Sequence, residues 1–432
     1  MTQSSGADRN QVADVDARAL VHDIGRATKA AASGLSTAPS SIICAVLSDI
    51  ATAIENSKDA ILEANARDIS YGEEKGLNPA MLDRLKLTPE RIQAIADSVR
   101  AVRDQDDPTG RILWDTVRPN GLVIQRVSVP IGVLGMIYES RPNVTVDAAA
   151  LCLKSKNAVI LRGGSESLHS SSAFHALIQQ ALTANGLPAA CVSLIPTRDR
   201  DAVGAMLEAN QFIDVMIPRG GKNLIERVMN DAKMPVFGHL EGLCHVYVHE
   251  TARPDLAVDV VHNAKLRRTG ICGAMETLIL DHKLPQDLAK AIVTRLLDEG
   301  CEIVGDKLAQ ALDDRIGAAS AQDWTTEYLD KKLSCCVVNG VLEAVNHINT
   351  YGSGHTDSIL SEDKAATDYF LSNVDSGIVM HNTSTQFADG GEFGMGAEIG
   401  IGTGKLHARG PVGLEQLCTY KYIVKGDGQI RP

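Results

Sequence analysis

No stretch of the 432 residues approaches the roughly 18 uncharged apolar residues that a membrane-spanning helix needs, so the chain reads as a soluble protein with no membrane partner. Met1 to Arg18 also lacks the apolar centre of a signal peptide, and a cytoplasmic location is the expectation. Runs of Lys and Arg interleaved with aromatics are missing too. Aromatics are only 4% of the residues, and a formal net charge of -12 would repel a phosphodiester backbone over most of the surface, which excludes nucleic acid as a partner. The nine cysteines have none of the paired CxxC spacings of a zinc or redox centre, so they read as reduced thiols and no metal is called for.

What the sequence does hold is ordinary globular usage, 44% hydrophobic and 22% charged residues. Its length exceeds what one core usually fills, which predicts two or three domains or one domain with an insertion. Residues 1 to about 12 are polar and read as frayed. Apolar residues at helical spacing predict helices over Asp16 to Ala32, Ser40 to Glu63, Pro79 to Leu85 and Pro89 to Val102, the last two led by Pro at the first turn. β-Branched residues then predict strands at Gly121 to Val127 and Ile131 to Ile137.

From there strands and helices alternate. Ala158 to Arg162 precedes Gly163-Gly164 and a helix over Ser170 to Asn185; Val192 to Ile195 precedes a helix over Arg200 to Glu208; Val215 to Ile217 precedes Gly220-Gly221 and a helix from Asn223. Such repeats predict an α/β fold with a parallel sheet covered on both faces. A second α/β cycle runs from a helix at Leu256 to Leu266, through a turn holding Cys272, into a strand at Glu276 to Leu280. Phe387 to Gly404 is dense in glycine, and Leu417 to Val424 reads as an edge strand suited to pairing with another subunit.

Cys272 sits in Arg267-Arg-Thr-Gly-Ile-Cys-Gly-Ala, a turn whose small residues leave backbone amides free to approach a reacting atom. Lys265, Arg267 and Arg268 lie just upstream, and positive charge near a thiol favours the nucleophilic thiolate. Glycines also flank inert core thiols, so spacing alone leaves both readings open. The Gly pairs after Arg162 and Arg219 stand where an α/β sheet binds phosphates at helix N-termini, although neither is a GxGxxG fingerprint and each alone is compatible with a simple tight turn. Arg162 is placed to meet a 2'-phosphate, favouring NADP over NAD.

The segments Val129-Pro-Ile-Gly-Val-Leu-Gly-Met-Ile-Tyr-Glu-Ser-Arg-Pro-Asn, Leu161-Arg-Gly-Gly-Ser-Glu, Ile217-Pro-Arg-Gly-Gly, His239-Leu-Glu-Gly-Leu-Cys-His, the Cys272 turn, Ile348-Asn-Thr-Tyr-Gly-Ser-Gly-His and Leu406-His-Ala-Arg-Gly-Pro carry a joint pattern. Through them the chain resembles, over nearly its whole length, the glutamate-5-semialdehyde dehydrogenase (gamma-glutamyl phosphate reductase) family of the aldehyde dehydrogenase superfamily. The resemblance implies an aldehyde dehydrogenase-like α/β fold. A Rossmann-type NADP-binding domain would span 1–112 and 128–252 with a return segment at about 377–402, a catalytic domain 253–376, and a small β oligomerisation arm 113–127 and 403–432.

It further implies that Cys272 is the nucleophile and that Asn143 is the oxyanion donor together with the Cys272 amide. Arg162, Gly163, Gly164 and Glu166 would face the adenosine ribose and its phosphate, Gly220 and Gly221 the pyrophosphate, and Glu327 the nicotinamide ribose. Glu241 falls where oxidative relatives keep a water-activating base, and it reads equally as a carboxylate capping a Gly-rich turn. Arg141, Arg268, His355, His407 and Arg409 are candidates to hold the substrate's charged ends, with solvated surface charge as the competing reading for the Lys405 to Arg409 cluster. The chain departs from the family's pattern around the nucleophile, where Arg267-Arg-Thr and Gly273 replace a Gln-Arg-Pro and an Asn.

The implied reaction is NADPH-dependent reduction of L-glutamyl 5-phosphate to L-glutamate 5-semialdehyde with release of phosphate, the second step of proline synthesis from glutamate. It would be carried out by a homodimer or homotetramer, with transient contact with glutamate 5-kinase as a further possibility. An NAD(P)-dependent hydrolytic aldehyde dehydrogenase and a non-catalytic dinucleotide-binding homologue are the rival readings.

Overall fold

The computed structural model describes residues 16–139, 141–395 and 397–431, so the frayed start read over residues 1 to about 12 lies outside them. Five helices come first: α1 (Ala17–Leu35), α2 (Ser40–Asn56), α3 (Lys58–Glu74), α4 (Pro79–Leu85) and α5 (Pro89–Arg103). Their starts are set by local chemistry. Asp16, Asn78 and Thr88 each accept a hydrogen bond from a first-turn amide, and Pro79 and Pro89 occupy positions where the missing N–H would have no partner anyway. The single helix expected over Ser40 to Glu63 is broken at Ser57 (φ -109°, ψ 21°), which ends α2 and caps α3. Strands β1 (Ile112–Val117) and β2 (Val123–Pro130) then form an antiparallel hairpin.

The predicted alternation follows as β3 (Val133–Tyr138), α6 (Asn143–Lys154), β4 (Ala158–Arg162), α7 (Leu168–Ala184), β5 (Val192–Leu194), α8 (Asp201–Glu208), β6 (Val215–Arg219) and α9 (Lys222–Asp231). The strands make one parallel sheet in the order β5-β4-β3-β6. The chain steps from β3 to β4 and β5 on one side and returns to β6 on the other. The carboxyl ends of β3 and β6 therefore flank a topological switch point, where such sheets open a crevice. Every residue of β3 and β4 is buried, as expected for strands covered on both faces.

A second parallel sheet is built from β7 (Cys244–Val248), α10 (Pro254–Leu266), β8 (Met275–Asp281), α11 (Gln286–Asp298), β9 (Glu302–Gly305), α12 (Lys307–Gln310), β10 (Gly317–Ala318), β11 (Lys332–Val338), α13 (Gly340–Tyr351), β12 (Thr356–Leu360), α14 (Lys364–Asn373) and β13 (Ile378–His381). Its order is β10-β9-β11-β8-β7-β12-β13. Two apolar layers cover it, one containing Val261 and Ile292, the other Ile348 and Phe370.

The expected boundary between 252 and 253 does not match this pairing. β7 hydrogen-bonds between β8 and β12, and β13 lies on the same sheet, so both belong with the second sheet rather than with the first. Backbone pairing overrides the break that the sequence texture suggested.

After β14 (Ile401–Gly402) and β15 (Gly410–Pro411), β16 (Cys418–Lys425) returns antiparallel to β2 and completes a sheet of order β1-β2-β16. It is an edge strand, as its residues predicted, with Tyr420, Tyr422 and Val424 exposed. No helix among the described residues is long and apolar enough to cross a membrane.

Candidate active site

Cys272 occupies the turn between α10 and β8, and three neighbours hold that turn in place. Gly242 packs its bare Cα against the Cys272 backbone, Cys244 Sγ donates to the Cys272 carbonyl at 3.1 Å, and buried Gln386 bridges the turn to its helix. The Gln386 amide donates to the carbonyls of Ala264 (2.9 Å) and Arg268 (3.3 Å), while its oxygen accepts from Arg267 (3.2 Å). Gly273 lets Thr385 and Gln386 approach from the other side.

The expected electropositive setting from Lys265 and Arg267 is not what the thiol meets. Lys265 is wholly buried and paired with Glu276 at 2.7 Å, and Arg267 turns to Gln386. Burial, with the charges of Glu398 and Glu327, pushes the half-buried Cys272 thiol up to about 12, against the opposing pull of Arg219. The resting sulfur is a thiol.

Cys272 opens onto a cleft of about 890 Å³ whose walls include Arg84, Arg141, Asn143, Asp147, Arg219, Arg268 and Glu398. The structure thus brings together four of the predicted residues: Cys272, Asn143, Arg141 and Arg268. Asn143 begins α6 and donates its side-chain amide to Asp147, one turn on, at 2.8 Å. That bond occupies one N–H of the amide. Burial raises the Asp147 carboxyl above its usual range.

Arg141 is depressed by burial and by the like charges of Arg219, Arg84 and Arg268, a crowding of cations that suits a multiply charged anion. Glu398 is pushed up to about 7, chiefly by burial. Arg84, Arg219 and Glu398 had no assigned role in the sequence, because they come from three distant segments that only the fold brings together.

At the switch point, Gly220 and Gly221 follow β6 directly and Gly221 caps α9. Glu139, just after β3, accepts from the Gly221 amide at 2.7 Å, and a Cβ on Gly220 would lie 2.6 Å from that carboxylate. Gly163 and Gly164 follow β4. Gly164 admits the Glu166 carboxylate, which accepts from Ser165 Oγ at 3.2 Å.

Arg162 is 7% exposed, and its guanidinium donates to the carbonyls of Gly163 (2.6 Å), Asp199 (3.3 Å) and Arg198 (3.5 Å). Its Nε is buried without a partner among the described residues. Glu327 accepts from the Gly242 amide at 2.9 Å, so the turn-capping carboxylate is Glu327 rather than Glu241. Glu241 is paired with Lys222 instead.

Three predicted substrate residues divide. His355 is wholly buried, with a ring nitrogen close to Cys272 Sγ and to His239. His407 and Arg409 are not among the residues lining the Cys272 cleft. His407 is hydrogen-bonded to the Gln416 carbonyl, while Arg409 and Lys405 both pair with Asp375. Their charges are neutralised locally, which favours the reading of this cluster as structural surface charge.

The aldehyde dehydrogenase family model matches residues 4–328. Among curated relatives, a gamma-glutamyl phosphate reductase of Paramagnetospirillum magneticum is 55% identical, covering 96% of this chain and 99% of the relative. One of Novosphingobium aromaticivorans is 54% identical, covering 96% and 97%. The crystal structure of a gamma-glutamyl phosphate reductase from Thermotoga maritima superposes with a TM-score of 0.94 at 39% identity, over 95% of this chain and 100% of that one. The parallel sheets, the Cys272 turn and these matches agree: the chain belongs to the aldehyde dehydrogenase family, in its gamma-glutamyl phosphate reductase branch.

Proposed function

We propose that the protein reduces L-glutamyl 5-phosphate to L-glutamate 5-semialdehyde with release of inorganic phosphate, the second step of proline synthesis from glutamate, and that it takes its hydride from NADPH. The observation that carries this reading is the crowding of Arg84, Arg141, Arg219 and Arg268 around the cleft onto which Cys272 opens. An acyl phosphate with a carboxylate at its far end carries the charge such a cluster suits. The names of the relatives point the same way.

In this reading the Cys272 thiol loses its proton to water in the cleft and the sulfur attacks the acyl carbon. Asn143 donates its remaining amide N–H to the developing oxyanion while Asp147 fixes the side chain's orientation, and phosphate departs to leave a thioacyl enzyme. Arg141 and Arg268 hold the substrate's anionic ends. Glu241, already paired with Lys222, has no water to activate in the reductive direction.

The crevice fits a dinucleotide: Gly220 would clash with Glu139 if it carried a Cβ, and the Gly221 amide at the start of α9 is a phosphate donor currently held by that carboxylate. Gly220 and Gly221 would hold the pyrophosphate, Gly163, Gly164 and Glu166 the adenosine end, and Glu327 the nicotinamide ribose. The bound cofactor supplies the hydride that reduces the thioester. Arg162, with its free Nε, orders the loop that would read a 2'-phosphate.

Exposed Trp114, Tyr420, Tyr422 and Val424 on the β1-β2-β16 sheet support a homodimer or homotetramer. Transient hand-over of the unstable acyl phosphate from glutamate 5-kinase accords with the same chemistry.

The test is the reverse reaction, NADP reduction by glutamate semialdehyde. It should require inorganic phosphate and be lost in Cys272→Ala and Asn143→Ala. Turnover independent of phosphate would instead identify a hydrolytic aldehyde dehydrogenase, and NADPH binding with no Cys272-sensitive turnover a non-catalytic homologue.

A further inference from the structure

We propose that Cys272, His239 and His355 form a binding site for a thiophilic divalent cation of the zinc class, one that reversibly caps the sulfur. A ring nitrogen from each histidine and Cys272 Sγ all lie within 4.8 Å of one another. Tetrahedral zinc, with bonds of about 2.3 Å to sulfur and about 2.0 Å to nitrogen, keeps its ligand atoms roughly 3.5 Å apart. About an ångström of side-chain movement therefore closes the cluster.

Both rings are already oriented from behind. His239 donates its Nδ1–H to the Ile401 carbonyl at 2.8 Å, a bond that leaves the lone pair on Nε2. Nδ1 of His355 lies 2.9 Å from Thr356 Oγ1, and its Nε2 is buried with no hydrogen-bond partner among the described residues. Imidazoles backed by a carbonyl or hydroxyl are how proteins fix the tautomer and direction of metal-ligating histidines. A wholly buried nitrogen without a partner is otherwise an uncompensated polar group. The rings stand nearly perpendicular, at 75° with centroids 4.8 Å apart, so two nitrogens can converge on one point without stacking.

The charges around the sulfur also bear on cation entry. Glu398 and Glu327 act on Cys272 and favour a cation, whereas Arg219 opposes one. On binding, the Cys272 S–H bond breaks, a sulfur–metal bond forms, and the proton leaves to solvent; nothing is oxidised or reduced. Water from the cleft completes the tetrahedron. Binding does not depend on the reaction proposed above; only its consequence, a blocked nucleophile, does.

Cobalt(II), a spectroscopic substitute for zinc, should bind the intact reduced protein at one ion per chain and give a thiolate-to-metal charge-transfer band. Zinc should displace it. The band should vanish in Cys272→Ser and the affinity fall by about tenfold or more in His239→Gln and His355→Gln. Zinc should also block alkylation of Cys272 by iodoacetamide, a chelator should restore it, and magnesium, a hard oxygen-seeking ion, should give no protection.

Absence of the charge-transfer band, unaltered affinity in both folded histidine variants, or equal protection by magnesium would each overturn the site. If a histidine variant does not fold, the zinc and magnesium comparison on the unaltered protein still decides. Because these readouts are binding and alkylation, their failure is separable from loss of the reductase reaction.

Discussion

Gly242 and Cys272 are in backbone contact: a Cβ built on Gly242 would lie 2.2 Å from the Cys272 carbonyl oxygen and 2.7 Å from its Cα. Gly242, two residues before β7, thus forms the floor under the Cys272 turn. The contact is with backbone, which cannot swing aside as a flexible side chain would.

Gly242→Ala is expected to displace the turn, lowering kcat more than tenfold and stability by about 1–3 kcal/mol. Turnover assays with urea denaturation check it. Wild-type turnover in this variant would mean the turn relaxes without moving the sulfur.

The Cys272 thiol, pushed up to about 12, should alkylate slowly at neutral pH, with a rate that climbs as pH rises and shows no plateau by about pH 10. The sign of each neighbour is set. Glu398→Gln removes an anion that holds the proton on and should speed alkylation at about pH 8 by roughly three- to tenfold, whereas Arg219→Met should slow it by a similar factor. A plateau near neutrality, or reversed signs, would refute this electrostatic picture.

Asp147, on the cleft wall, holds the Asn143 side-chain amide at 2.8 Å and so acts as its positioning residue in the proposed reaction. Asp147→Leu should therefore lower kcat while leaving KM close to unchanged, and by less than the roughly hundred- to thousandfold expected for Asn143→Ala. Steady-state kinetics of both variants, and of the double variant, test it. Additive losses would show that the two side chains act independently.

Lys265 and Glu276 form a wholly buried ion pair near the turn, at 2.7 Å. Lys265→Met strands a carboxyl in the interior and should cost about 3–5 kcal/mol, whereas Lys265→Met with Glu276→Leu should recover most of that. Urea denaturation of the three proteins decides it. A mild single variant would mean that Glu276, already pushed up to about 7 by burial, simply takes up a proton.

Much of this protein was determined by residue order alone. Strand and helix alternation over Val133 to Asp231, the Pro-led starts of α4 and α5, and the edge strand near the carboxyl end were all legible, because they rest on periodicity and capping within a few residues. Cys272 could be singled out because a short Gly-marked turn beside basic residues carries it, whereas Asn143 was named only through the family resemblance.

Tertiary structure decided the rest. Lys265 and Arg267, adjacent to the nucleophile in sequence, are turned to Glu276 and Gln386, while Arg219 and Glu398, 53 and 126 positions away by their numbers, set its electrostatics. The assignment of β7 to the second sheet, the local pairing of Arg409 with Asp375, and the meeting of His239 with His355 are likewise outcomes of packing. Charge acts through distance in space, and distance along the chain says little about it once two sheets have brought remote loops to one cleft.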